Sequence, residues 1–265
     1  MRKLVIAVLV IVGLAVVADF GAAAAAEYTL AQQLTARLAL PADPSVRING
    51  VPFATQALAG RYTAIDIQAT GLTVDPLRDV AVEATLRDVT APLAELIAGD
   101  ISSVRAAQVD GQVRIKDSDL GRAIGIEDLR IQRPSDKEMQ ALLPAGATIP
   151  PPDGTPADRA AIRMAATTDL ASRRTEIIGI GLIELTGDLV RITISDVRLA
   201  GDDIGAASLP REIRQLLLKT LSTNVKPGGL PFDVTPTGVS VQTGSLTVAG
   251  TATDVPVGRA ATGIG

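Results

Sequence analysis

Two periods of hydrophobicity divide this chain. Over residues 24–40 the apolar positions recur four apart, and from about residue 60 they recur mainly two apart. Leu30, Leu34 and Leu38, joined by Ala31, oppose Glu27, Gln32, Gln33 and Arg37. That stripe predicts an amphipathic helix over 24–40, ended by Pro41 and Pro44. Farther on, Ile65 and Ile67 alternate with Asp66 and Gln68; Val80, Val82, Ala84 and Leu86 with Glu83, Thr85 and Arg87; and Val113 and Ile115 with Arg114 and Lys116. Each run predicts a strand with one apolar face and one wet face. Turn signals stand at Gly71, Asp75-Pro76, Asp110-Gly111 and Gly121.

Short helices are expected at 91–98, with Pro92 in the first turn, and at 120–124, with Asp119 as N-cap. Pro134-Ser-Asp reads as another helix start. From 134 to 163 periodicity is lost among Pro144, Pro150-Pro151-Pro152 and Pro156, and this Pro-rich loop divides the exported part into halves of about 27–133 and 164–265. The second half resumes with the apolar run 177–183, a turn at Gly187-Asp188, and alternating Val190, Ile192 and Ile194. A helix over 209–221 follows, with Pro210 in its first turn and Ile213, Leu216, Leu217 and Leu221 on one side.

The first residues carry a different signal. Arg2 and Lys3 precede an uninterrupted apolar run over 4–18, then Asp19, Phe20 and an Ala-rich stretch to Ala26. At 1.5 Å per residue the run covers about 22 Å, short of the roughly 30 Å hydrocarbon core, so a signal-peptide h-region fits better than a spanning helix. Cleavage sites of small residues lie before Glu27 and before Asp19. Segment 1–26 is thus a cleaved signal or an N-terminal anchor, and either places 27–265 outside the cytoplasmic membrane, in the periplasm or cell envelope.

Composition narrows the chemistry. The chain is 47% hydrophobic but 2% aromatic, so its interior is built from Ala, Val, Ile and Leu. A net charge of -4 excludes the basic face of a nucleic-acid binder. There is no Cys, hence no disulfide, thiolate site or acylated lipoprotein cysteine; there is no His, hence no Ser-His-Asp arrangement. Other constellations are weak. Asp117-Ser-Asp119 has the spacing of a metal-binding DxD, but a helix cap is the simpler role for Asp119. Asp202-Asp203 reads as a turn, and Gly179-Ile-Gly181 lies inside an apolar strand without the third glycine of a dinucleotide loop. Arg173-Arg174 and Arg61 could meet a phosphate, although a solvated side chain is the commoner fate of a surface Arg.

One stretch is distinctive: Val46-Arg-Ile-Asn-Gly-Val-Pro-Phe-Ala-Thr-Gln-Ala-Leu-Ala-Gly-Arg61, answered near the C-terminus by Leu230-Pro-Phe232. In both places a Pro-Phe pair follows a helix and precedes strands, a weak hint of internal duplication. With 236–250, this stretch resembles the LmeA-type phospholipid-binding proteins of actinobacteria; Ala54 departs from the resemblance, where a larger residue such as Leu is expected. The resemblance implies an α+β fold similar to the tubular lipid-binding proteins, in which curved antiparallel β-sheets wrap amphipathic helices around an apolar cavity. It implies a phospholipid ligand, an inositol phospholipid among the candidates, contact with the membrane surface, and a role near envelope lipoglycan assembly. Candidate lipid-binding residues are Leu34, Leu38, Pro52, Phe53, Leu58, Arg61, Leu217, Leu230 and Phe232. No catalytic residue, metal ligand or cofactor is expected. The competing readings are a structural or adaptor envelope protein with a filled core, acting on a membrane enzyme, and, more distantly, a carboxylate-based glycosidase.

Overall fold

The computed structural model describes residues 2–38, 40–74, 77–92, 94–95, 103–126, 128–142, 154–170, 173–187, 189–199, 215, 218, 223–225 and 234–257. A single helix, α1 (Arg2–Leu38), joins the apolar leader to the amphipathic segment without a break. The helix expected over 24–40 therefore begins much earlier, because nothing between Ala22 and Ala26 can stop it: alanine is the strongest helix former.

Six strands form the first antiparallel sheet: β1 (Ser45–Asn49), β2 (Arg61–Val74), β3 (Leu77–Thr90), β4 (Arg105–Lys116), β10 (Thr235–Gln242) and β11 (Ser245–Pro256), in the order β1-β2-β3-β4-β11-β10. Five form the second: β5 (Arg130–Gln132), β6 (Arg159–Leu170), β7 (Arg173–Thr186), β8 (Leu189–Leu199) and β9 (Thr223–Val225), in chain order. Between them lie α2 (Phe53–Ala59), α3 (Asp117–Ile124) and α4 (Asp136–Leu142). The C-terminal hairpin returns to the first sheet, so the sheets do not follow the two halves of the chain. The architecture is α+β with two antiparallel sheets and few helices.

Several sequence expectations change. Asp110-Gly111 is no turn: β4 runs straight through it, because Asp110 is held within the sheet by Arg87, Gln108 and Thr251. Gly71 makes a bulge inside β2, with φ of 74°, where the register to β3 shifts. Gly121 sits within α3; a Cβ there would lie 2.3 Å from the Ile126 carbonyl oxygen, so the glycine permits close packing. Asp119 is not an N-cap. It lies inside the first turn of α3, fully buried, and accepts the backbone N–H groups of Arg78 and Asp79, at 3.2 and 2.6 Å, while pairing with Arg122. The Pro-rich stretch ends sooner than 163, since β6 begins at Arg159 and buries Ala160, Ala161 and Ile162. Small alanines hid that strand from the alternation. The start of α4 is as expected: Ser135 and Glu138 form a reciprocal capping box. Of the helix over 91–98, Ala94 and Glu95 are described as helical; the helix over 209–221 lies outside the described residues except at 215 and 218.

Among the described residues two large apolar clusters hold the fold, beside a small one of Ala165, Ile178 and Ile180. One joins Ile131, Ile162, Ile183, Ile194 and Val197 of the second sheet to Val239, Val241 and Leu246 of the C-terminal hairpin. The other packs Ala31 of α1 with Phe53 and Ala57 of α2 against Val46, Tyr62, Ile65, Leu86 and Val89. Ala23, Ala26, Leu30 and Leu34 extend this second contact along α1.

Candidate functional site

Register makes the first sheet two-faced. Across β1, β2, β3, β4 and β11, one row reads Ile48, Ile65, Leu86, Val109, Ala252; the next reads Val46, Ile67, Ala84, Gly111, Gly250; a third, from β2 to β10, reads Ala69, Val82, Val113, Val248, Val239. All three rows share a face, because they are offset by two residues. The α1 cluster covers the first row and reaches Ile67 and Ala84 of the second; the other cluster covers Val239 and Val248 of the third. Val82, Gly111 and Val113 belong to neither. Val113 is 36% exposed, and a Cβ on Gly111 would have the Glu83 carbonyl oxygen, 3.6 Å away, as its sole neighbour within 4 Å among the described residues. Among the described residues, the middle of this apolar sheet face is thus left partly open, with a glycine at its floor.

The opposite face is polar and engaged with itself. A shallow trough of about 420 Å³ is lined by Asp66, Gln68, Glu83, Thr85, Asp110 and Gln112, together with Ile67, Ala84, Gly111 and Gly250 of the second row and Thr237 and Ala249. Asp66 accepts from Thr85 and Asn49, which hold its carboxyl below the usual range. The Arg87 guanidinium, then Gln108, do the same for Asp110. Glu83 accepts from Gln112 at 2.6 Å. Glycoside hydrolysis needs one carboxyl held protonated beside an ionised one, and here the two shifted carboxyls of the trough move downward together.

The proposed site residues divide. Leu34 and Phe53 meet in the α1 cluster, where Phe53 stacks 6.3 Å from Tyr62 with the rings tilted by 35°. Burial pushes the Tyr62 hydroxyl's pKa up. Pro52, following a cis peptide, is exposed, and so is Arg61 at the start of β2. Leu58 points away from the sheet and is 84% exposed. Leu38 ends α1, its side chain not described; Leu217, Leu230 and Phe232 lie outside the described residues, as does Asp202-Asp203. Sequence reading missed Val82, Ala84, Gly111 and Val113 as a group. Their alternation was visible, but their adjacency needs the β3-β4-β11 order.

A family model of LmeA-like phospholipid-binding proteins matches residues 17–251. The chain belongs to this family. No curated protein and no solved structure matches it. The LmeA-like match begins at Val17, before Asp19, and so includes the part of α1 that packs on the first sheet.

Proposed function

We propose that this protein is an exported, non-catalytic phospholipid-binding protein of the cell envelope that supports lipid or lipoglycan assembly. Lipid binding is the property that family membership suggests. The observation that carries the reading further is the apolar strip at Val82, Gly111 and Val113, beside Ala84, which among the described residues neither the α1 cluster nor the second-sheet cluster covers. Acyl chains lie along this strip, wrapped by the sheet on one side and α1 on another. The headgroup stays at the surface, since burying an ionised phosphate without donors is prohibitive. Arg61 supplies its contact, about 20 Å along β2 from Ile67 at ~3.3 Å per residue. An inositol phospholipid fits such a site, as does any anionic glycerophospholipid.

Organic extraction and native mass spectrometry of the purified protein test this. One phospholipid per chain is expected. Gly111→Leu, which places a side chain in the open floor, should cut the extracted lipid several-fold while leaving the melting temperature in place. A wild-type protein free of lipid would favour the filled-core adaptor instead, and undiminished lipid in Gly111→Leu would move the site off this strip.

A further inference from the structure

The leader is built into the domain. Along α1 the described side chains of 2–18 are exposed, and contact with the domain begins at Asp19. Its carboxylate accepts the backbone N–H groups of Phe53 and Ala54, at 2.8 and 2.7 Å, and so closes the first turn of α2. Ala23 and Ala26 pack in the α1 cluster, and Glu27 accepts the N–H of Ile48 at 2.7 Å. Scission before Glu27 would strip Asp19 from α2 and two alanines from the core. Scission before Asp19 would cut α1 between the exposed run and the first residue that contacts the domain.

Around the exit of α1 the surface is apolar. Phe20 follows Asp19; Val51 and Pro52 precede the N–H groups that Asp19 binds; Leu58 lies on the outer side of the same short helix. Phe20, Val51 and Leu58 are 58%, 71% and 84% exposed. We propose that α1 remains uncut, spans a phospholipid bilayer with residues 4–18, and seats this collar of Phe20, Val51, Pro52 and Leu58 in the membrane interface.

Length supports the seat. The run over 4–18 covers about 22 Å, some 8 Å less than a hydrocarbon core of about 30 Å. An interfacial apolar surface sinks about 5–10 Å, which closes the difference. Arg2 and Lys3 then hold the far end in the cytoplasmic headgroups. Asp19 tolerates this depth because two N–H groups already satisfy its charge. This inference is independent of what the apolar strip binds.

Two measurements test it on the full chain. Intact mass of protein taken from the membrane fraction should include residues 2–26; a chain beginning at Asp19 or Glu27 overturns retention. The sequence has no Trp, so Leu58→Trp gives a lone reporter at an exposed position. Reconstituted in phosphatidylglycerol and phosphatidylcholine vesicles, it should emit to the blue and lose most of its intensity to lipids brominated near the headgroup. Emission at the wavelength of a water-exposed indole overturns the collar. Blue emission that brominated lipid does not quench also overturns it, and assigns the surface to a protein partner.

Discussion

Replacing Phe53 by Ala separates a structural anchor from a residue at a lipid entrance. The ring is 7% exposed, packed with Ala31, Val46 and Ala57 and stacked on Tyr62. Deleting a buried Phe side chain costs about 3–5 kcal/mol. The lower end applies here, because the Tyr62 hydroxyl is buried without a hydrogen-bond partner among the described residues, and the vacated space lets water reach it. At about 2–4 °C per kcal/mol for a domain of this size, 3 kcal/mol lowers the melting temperature by roughly 6–12 °C. Leu58→Ala, five residues along the same helix, removes a side chain that is 84% exposed and should stay within about 0.5 kcal/mol, or less than about 2 °C. Thermal denaturation followed by circular dichroism, on lipid-loaded and delipidated protein, reads both variants. The Phe53 loss should be the same in the two preparations. Equal losses at Phe53 and Leu58, or a Phe53 loss that vanishes once lipid is removed, would refute the packing argument.

Arg61→Gln should weaken anionic phospholipids by about 1–3 kcal/mol and leave neutral ones alone, as read by native mass spectrometry against a lipid mixture; an unchanged anionic preference would remove Arg61 from the headgroup site. Glu138 is partly buried, which opposes its ionisation, but Ser135 and the guanidinium groups of Arg198 and Arg163 outweigh this and hold its carboxyl below the usual range. A carboxyl lowered on folding contributes stability that is present above its unfolded pKa, about 4.3, and is lost as pH falls through the folded value. Glu138→Gln should therefore flatten the acid limb of urea stability below about pH 4.3, and an acid limb as steep as wild type would contradict it. Asp119→Ala leaves two strand N–H groups and Arg122 without their acceptor and should cost about 3–5 kcal/mol by urea denaturation, a cost that a midpoint close to wild type would disprove.

How much of this was legible in the sequence depends on what local residues determine. The alternation at 65–68, 80–87 and 113–116 gave β2, β3 and β4 because each strand buries one face, and Pro134-Ser-Asp marked the start of α4, where Ser135 and Glu138 cap each other. Signals that depend on partners far along the chain were read wrongly. Asp110-Gly111 has turn composition, yet Asp110 meets Arg87 on β3 and Thr251 on β11, 141 residues away. Asp119 looked like a cap because its donors are not local: they come from β3, 40 and 41 residues earlier. The leader reads as a cleaved signal or an N-terminal anchor, and the packing of Asp19, Ala23 and Ala26 on α2 and the core is visible only in the fold, because this face is small and plain in composition.

The same division governs the candidate site. Phe53 was visible because Phe is rare in this chain, with three in all, but rarity selected a core anchor. The proposed strip consists of Val, Ala and Gly, common residues of the sequence, and is singled out by the gap between the two clusters among the described residues. Magnitudes show why such plain residues suffice. Each buried methylene contributes about 0.8 kcal/mol, so a tail that buries about ten gains roughly 8 kcal/mol before ordering costs, whereas a charge-assisted contact at the headgroup adds about 1–3. Tail burial thus decides whether a lipid is held, and the rim decides which lipid. Filling the floor at Gly111 should cut retention of every headgroup class several-fold, while changing Arg61 should reorder the classes without emptying the strip. A Gly111→Leu protein that loses anionic lipid alone, or an Arg61→Gln protein that loses all lipid, would reverse that assignment.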